Sequence, residues 1–272
     1  MEVAVYGASG FIGKNYLLNS SNHCVPIDKY SLISSAKEIL YLIGTTDNYN
    51  VFEDPLKDVN TNIVHLLRVL DTLRASKSDF TFNYVSSWFV YGNNTIPFFE
   101  EQDCRPTGFY SISKYSAELF LKSYCQTFNI PYRIFRLGNV FGQGDSGVSK
   151  KKNALQYLIQ ELSLGNDINL YDGGEFFRDF IHVKDVVNAF DLLLNAGALN
   201  SIYNIASGVP THFGNLIRKK AEMLGRGNLI HSIPTPDFRS TVQVKDSVLN
   251  VDKLSKLGFE IKFPIDSEIE NL

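Results

Sequence analysis

A glycine cluster near the start of the chain most constrains what it folds into. Gly7-Ala8-Ser9-Gly10-Phe11-Ile12-Gly13 follows the apolar run Val3-Ala4-Val5-Tyr6 and precedes helix-compatible residues 14–19. Strand, glycine turn and helix in that order open a dinucleotide-binding unit. The glycines permit a tight turn and close approach of backbone to a ligand. The helix N-terminus offers unpaired N–H groups and a positive dipole end to a pyrophosphate. Residues 24–27 read as a second strand, with Pro26 suited to an edge, and it ends at Asp28. A ribose-binding carboxylate belongs there. Gly7, Gly10, Phe11, Ile12, Gly13 and Asp28 are therefore candidate cofactor residues. Asp28 accepting from a ribose 2′-OH favours NAD. Lys29 beside it would meet a 2′-phosphate, so NADP stays open.

Strand and helix signals alternate onward. Ile39-Leu40-Tyr41-Leu42-Ile43 is a continuous apolar run of the buried parallel-strand kind. After Asp54-Pro55, the apolar residues Val59, Ile63, Leu66, Leu70 and Leu73 fall on one helical stripe. Residues 80–85 read as a strand, 108–128 as a long helix, 132–137 as a strand and 183–194 as a helix. The expected fold is α/β, a Rossmann-type doubly wound parallel sheet with a small C-terminal substrate-binding lobe. The expected division is 1–142 plus part of 176–206 for the dinucleotide domain, and 143–175 with 207–272 for the lobe.

Composition narrows the alternatives. The 26 basic and 29 acidic residues give a net charge of −3, without the basic excess of a nucleic-acid binder. No apolar run approaches the ~20 residues of a membrane span, and the N-terminus has no signal-peptide pattern. Three cysteines without C-x-x-C spacing fit a reducing cytoplasm. The five scattered histidines give no support to a metal site.

Tyr110 and Lys114 stand four apart on the long helix and share a face. An ammonium near a phenol favours the phenolate and suits the tyrosine to acid–base work near neutral pH. Beside a nicotinamide, the pair would pass a proton to or from a substrate oxygen. Ser86 and Ser87 end a strand at the carboxyl edge, where ligands of open α/β sheets bind, and either would hydrogen-bond the same oxygen.

Together these residues resemble the extended short-chain dehydrogenase/reductase family, in its NAD-dependent nucleotide-sugar epimerase/dehydratase branch. Five ordered motifs carry the resemblance over nearly the whole chain. They are the glycine loop, Ser87 through Gly92, Tyr110 with Lys114, Arg136 through Gly142, and Arg178 through Asp185. The resemblance singles out Ser87 over Ser86 as the oxygen-orienting donor. It implies Tyr110 as acid/base, Lys114 as its pKa-lowering and ribose-binding partner, and cofactor contact at Leu42, Ile43 and Gly44. It implies that Asn139 and Arg178, with Arg239 a weaker candidate, face the diphosphate of a nucleotide sugar. The bland alternative for Arg178 is an ion pair with Asp179 or Asp185. A homodimer through the Tyr110 helix and the helix before the Ser87 strand is also implied.

Two departures matter. Where the family's 4,6-dehydratases carry an Asp-Glu pair, this chain has Trp88-Phe89. That disfavours a dehydratase and lets the aromatic pair shape the sugar pocket. Only ten residues separate Asp28 from Ile39, so the sheet should be shortened after the second strand and the adenine side of the cofactor site should be open. The expected activity is epimerisation by hydride transfer at sugar C4. Alternatives are a 4-keto-6-deoxysugar reductase consuming NAD(P)H and, from another class, a non-catalytic dinucleotide sensor.

Overall fold

The computed structural model describes residues 1–28, 33–46, 48–76, 79–145, 147–149 and 152–272. Its centre is a six-stranded, all-parallel sheet. The strands are β1 (Glu2–Tyr6), β2 (His23–Ile27), β3 (Glu38–Tyr41), β4 (Thr81–Ser87), β5 (Tyr132–Leu137) and, after four short strands outside this sheet, β10 (Ser201–Ile205). Their spatial order is β10-β5-β4-β3-β1-β2. The chain runs outward from β1 to β2, then returns to the other side of β1 for β3. This reversal is a topological switch point, and ligands of open α/β sheets bind beside it at the carboxyl ends of the strands.

Successive strand residues face opposite layers. Val3, Val5 and Leu40 face a layer containing α1 (Phe11–Asn19) and α5 (Val183–Ala196). Ala4, Tyr6, Ile39 and Tyr41 face the opposite layer, built from α2 (residues 57–75) and α3 (Phe109–Phe128). Because the sheet is covered on both faces, its central strands are buried at nearly every position, polar residues such as Asn83 and Arg136 included.

β2 is an edge strand, and nothing among the described residues pairs with its far side. Pro26, which has no N–H to donate, sits exposed there. The sheet is thus shortened after the second strand, as the ten-residue interval requires.

Two boundaries move. Helix α1 begins at Phe11, so Gly13 lies inside it rather than before it. Within α2, Asn60–Val64 is a π-helical segment. Its wider turn shifts the stripe's phase. Leu66, Leu70 and Leu73 are fully buried, whereas Val59 is 38% exposed.

A separate apolar cluster lies beyond the sheet. It joins Phe141, Phe180, Phe213, Leu216 and Ile217 with α4 (Ala154–Leu164) and α6 (Phe213–Met223). Its strands form only pairs: β6 (Asn139–Phe141) with β9 (Phe180–His182), β7 (Ile168–Tyr171) with β12 (Ile230–Ile233), and β8 (Phe177–Arg178) with β11 (Thr211–His212). No helix among the described residues is long and apolar enough to cross a membrane.

Candidate active site

The glycine loop is shaped by its neighbours. Gly7 has φ +86°, and a Cβ there would press on the Leu42–Ile43 backbone at 3.1 Å. A Cβ on Gly13 would come within 2.3 Å of the Gly7 carbonyl oxygen, so helix and loop pack with no room for a side chain. Gly10 has no such neighbour; its Cβ would meet the Gly7 oxygen at 3.4 Å. It is the N-cap of α1, with no side-chain cap and no acidic residue in the first turn. This helix end keeps its positive character for an anion. Asp28 follows Ile27, which is paired with Tyr6, and so stands abreast of Gly7. Lys29 lies outside the described residues.

Phe11 and Ile12 open into a cleft of about 320 Å³ between the sheet's carboxyl edge and the outer cluster. Leu42, Gly44, Ser87, Trp88, Tyr110, Lys114, Asn139, Arg178 and Arg239 share its lining. The structure thus brings together most of the residues the sequence singled out. Gly7, Gly10, Gly13 and Asp28 stand outside that lining, along the β1–α1 turn and the β2 end. Ile43 turns its side chain into the α2/α3 layer.

Strand alternation separates the two serines. The Ser86 hydroxyl donates to Glu118 at 2.6 Å, and Glu118 is itself paired with buried Arg136 at 2.7 Å. Ser86 is thereby committed to the framework. Ser87 caps a short 3-10 turn, Trp88–Tyr91, its Oγ accepting from the Phe89 N–H at 3.3 Å.

Tyr110 occupies the first turn of α3, 8% exposed. One turn on, Lys114 is 4% exposed. Its Nζ donates to the Val85 carbonyl at 2.7 Å and stands 4.2 Å from the Tyr84 ring centre. Burial lowers its pKa from 10.5 to about 7, with the Glu118 charge pushing the other way. Gly44 lies against it; a Cβ there would be 3.5 Å from Nζ.

Sequence reasoning missed Asn62. Its Oδ1 accepts from the Thr45 N–H at 2.9 Å, and its Nδ2 donates to Thr45 Oγ1 and Ser113 Oγ, both at 2.8 Å. It ties the loop after β3 to the Tyr110 helix. The signal was present: Asn62 stands three residues after Val59 and four before Leu66, a polar residue inside an apolar stripe.

Arg178 donates to the carbonyls of Phe177 and Val244 at 2.8 and 3.1 Å, and to that of Lys245. The expected alternative pairing fails. Asp179 accepts from Ser207, Gly208 and Leu249, and Asp185 from Lys262 and Phe263. Burial first, then the nearby Arg239 charge, draw the Arg178 pKa down to about 9. Arg239 itself lies over the Tyr171 ring at 4.5 Å. Arg178 and Arg239 both line the cleft, and a guanidinium matches phosphate oxygens in charge and geometry. The Asn139 Nδ2 is bound to the Asp179 carbonyl at 3.1 Å, so that donor is spent on the framework.

A parallel sheet with a switch point, an uncapped helix behind a glycine loop, and a Ser-Tyr-Lys set at the carboxyl edge define a dinucleotide-dependent α/β protein. The family comparison makes this specific: residues 3–206 match the model of the NAD dependent epimerase/dehydratase family, and the chain belongs to that family. The chain is 28% identical to the GDP-6-deoxy-D-mannose reductase of Pseudomonas aeruginosa, over 80% of this chain and 79% of that one. Among solved structures, the UDP-glucose 4-epimerase of Thermus thermophilus in complex with NAD shares the fold. Its TM-score is 0.85 at 21% identity, covering 99% of this chain and 96% of that one. RMD from Pseudomonas aeruginosa, complexed with NADPH, aligns with TM-score 0.83 at 25% identity over 98% and 96% of the two chains.

Proposed function

We propose that the chain is an NAD(P)-dependent nucleotide-sugar epimerase/oxidoreductase acting at sugar C4, with Tyr110 as acid/base. One observation carries this reading: a single cleft holds Ser87, Tyr110 and Lys114 together with the Arg178–Arg239 pair. The GDP-6-deoxy-D-mannose reductase and the UDP-glucose 4-epimerase named above act on sugars carried by nucleoside diphosphates, which supports that substrate class.

The residues present fit the cofactor. The cradle between Gly7 and Gly13 has no room for a side chain, and the α1 N-terminus has no competing side-chain cap. Gly7, Gly10, Phe11, Ile12 and Gly13 would hold the pyrophosphate. Asp28 would take a ribose hydroxyl, and Leu42 and Gly44, with the Ile43 backbone between them, would line the route to Lys114. NAD(P), when bound, supplies the hydride acceptor and donor. The protein's own work is proton handling and orientation. Ser87 holds the C4 oxygen by a hydrogen bond while Tyr110 takes its proton or returns it. The Lys114 ammonium favours the phenolate. Arg178 and Arg239 hold the diphosphate, which fixes C4 at the far end of the cleft.

The cleft's chemistry disfavours a dehydratase. Trp88 and Phe89 supply no acid or base. The carboxylate in its described lining, Asp145, is held by Lys152 at 3.5 Å and by Asn153 at 3.1 Å. A 4-ketoreductase consuming NAD(P)H is the second reading, favoured by the open edge beside β2 and the reductase relative.

A homodimer belongs to the same proposal. Ile112, Leu119 and Phe120 on α3 and Val59 on α2 are apolar and exposed. So does the two-part division, with 143–175 and 207–272 as the substrate lobe. The free cysteines Cys24, Cys104 and Cys125 support a cytoplasmic setting.

Incubation with a panel of nucleotide sugars, with and without NAD(P)H, tests the reading. Epimerised product without cofactor consumption selects the epimerase. Stoichiometric NAD(P)H loss selects the reductase. No change in any sugar, with either cofactor, removes both.

A further inference from the structure

Trp88 is the chain's single tryptophan. Its ring stacks on Phe89, with centroids 4.0 Å apart and planes at 26°. Phe89 in turn meets Tyr110 edge-on at 5.9 Å. At the other end, the Arg178 guanidinium stands 5.5 Å from the Trp88 ring centre and 4.3 Å from that of Phe176. An aromatic row therefore runs from the phenol to the arginine. Trp88 is the anchor, 3% exposed, and Phe89 is the half-buried member lining the cleft.

We propose that this row, with Phe89 as its contact face, selects a sugar that is apolar beside C4: a nucleotide-linked 6-deoxyhexose or its 4-keto form. The inference rests on the C4 reading above. A sugar held by its diphosphate at Arg178 and by its C4 oxygen at Tyr110 spans the row. Of the carbons flanking C4, C3 ordinarily carries a hydroxyl. C5 carries C6, the substituent that can be a plain methyl. An aromatic wall gains from burying a methyl. The ring face itself offers no partner to a hydroxymethyl or carboxylate, which would lose water hydrogen bonds where it lies against Phe89. A uronate would fare worst. The two arginines are taken by the diphosphate, and Lys152 is already paired with Asp145.

Trp88 supplies the probe. Its fluorescence is titrated in the NAD-loaded protein with matched sets: UDP-glucose, UDP-6-deoxyglucose and UDP-glucuronate, then GDP-mannose with GDP-6-deoxymannose, and dTDP-glucose with dTDP-6-deoxyglucose. In the set whose nucleotide binds, the 6-deoxy sugar should bind at least about tenfold tighter than its hydroxymethyl partner. In the UDP set, the uronate should bind most weakly. In Phe89→Ala the 6-deoxy preference should collapse while affinity for the free nucleoside diphosphate holds. Phe89→Leu should retain it. Equal binding of methyl and hydroxymethyl partners in the wild type overturns the proposal whether or not the variants fold. So does a preference that survives Phe89→Ala. Failure of every nucleotide sugar to bind would instead remove the C4 reading, and this inference with it.

Discussion

Lys114 donates from Nζ to the carbonyl oxygen of Val85 at 2.7 Å, tying the Tyr110 helix to β4 two residues before Ser87. This bond draws the three proposed reacting groups from two elements into one place. It also holds an ammonium in a site that burial makes hostile to charge.

The consequence for stability has a definite sign. The folded-state pKa is about 7, against an ordinary lysine value of 10.5. Between those values the unfolded chain binds more protons, so this group makes stability rise with pH across that window. Below about pH 7 the folded protein bears the full cost. Lys114→Met should raise Tm by about 2–6 °C at pH 6, and the gain should shrink towards about pH 9.5. Turnover should fall by about 10²–10⁴-fold. A lowered Tm at pH 6 would contradict this account.

Asn62→Ala removes the acceptor of the Thr45 N–H and the donor to Ser113. The loss should cost about 1–3 kcal/mol in urea unfolding, with weaker cofactor binding because the loop after β3 is released. An unchanged midpoint and unchanged affinity would show that Asn62 does not hold this junction.

Arg178→Met should weaken nucleotide-sugar binding by about 10- to 100-fold and leave cofactor affinity alone. Calorimetric titration of each ligand separates the two. Equal loss for both would place Arg178 in the framework rather than at the diphosphate.

The edge position of β2 leaves the adenosine side with no further strand among the described residues. Cofactor affinity should therefore be weaker than sub-micromolar. NAD(P)H fluorescence titration measures it, and ordinary sub-micromolar binding would refute the link between the short sheet and affinity.

The parts legible in sequence were those set by local chemistry. The glycine loop, the Tyr110–Lys114 spacing and the ten-residue gap each act through neighbours in the chain, and each appears where expected. Val59 was misplaced because a π-helical segment shifts phase without altering composition. The fate of Arg178 was hidden because its partners are backbone carbonyls, which no residue type announces. The outer cluster was least legible. Its strand pairs β6–β9, β7–β12 and β8–β11 are two to four residues long, too short for a period to register. Position alone left Ser86 and Ser87 open and the family motif chose Ser87; the structure adds the physical reason, since Glu118 and Arg136 claim Ser86.

In the proposed reaction Tyr110 moves the proton at sugar C4. The most direct measurement is turnover of Tyr110→Phe on the nucleotide sugar that the wild type converts, alongside its cofactor affinity. Turnover should fall by at least about 10²-fold while cofactor affinity is unchanged. Wild-type turnover in Tyr110→Phe would contradict that role.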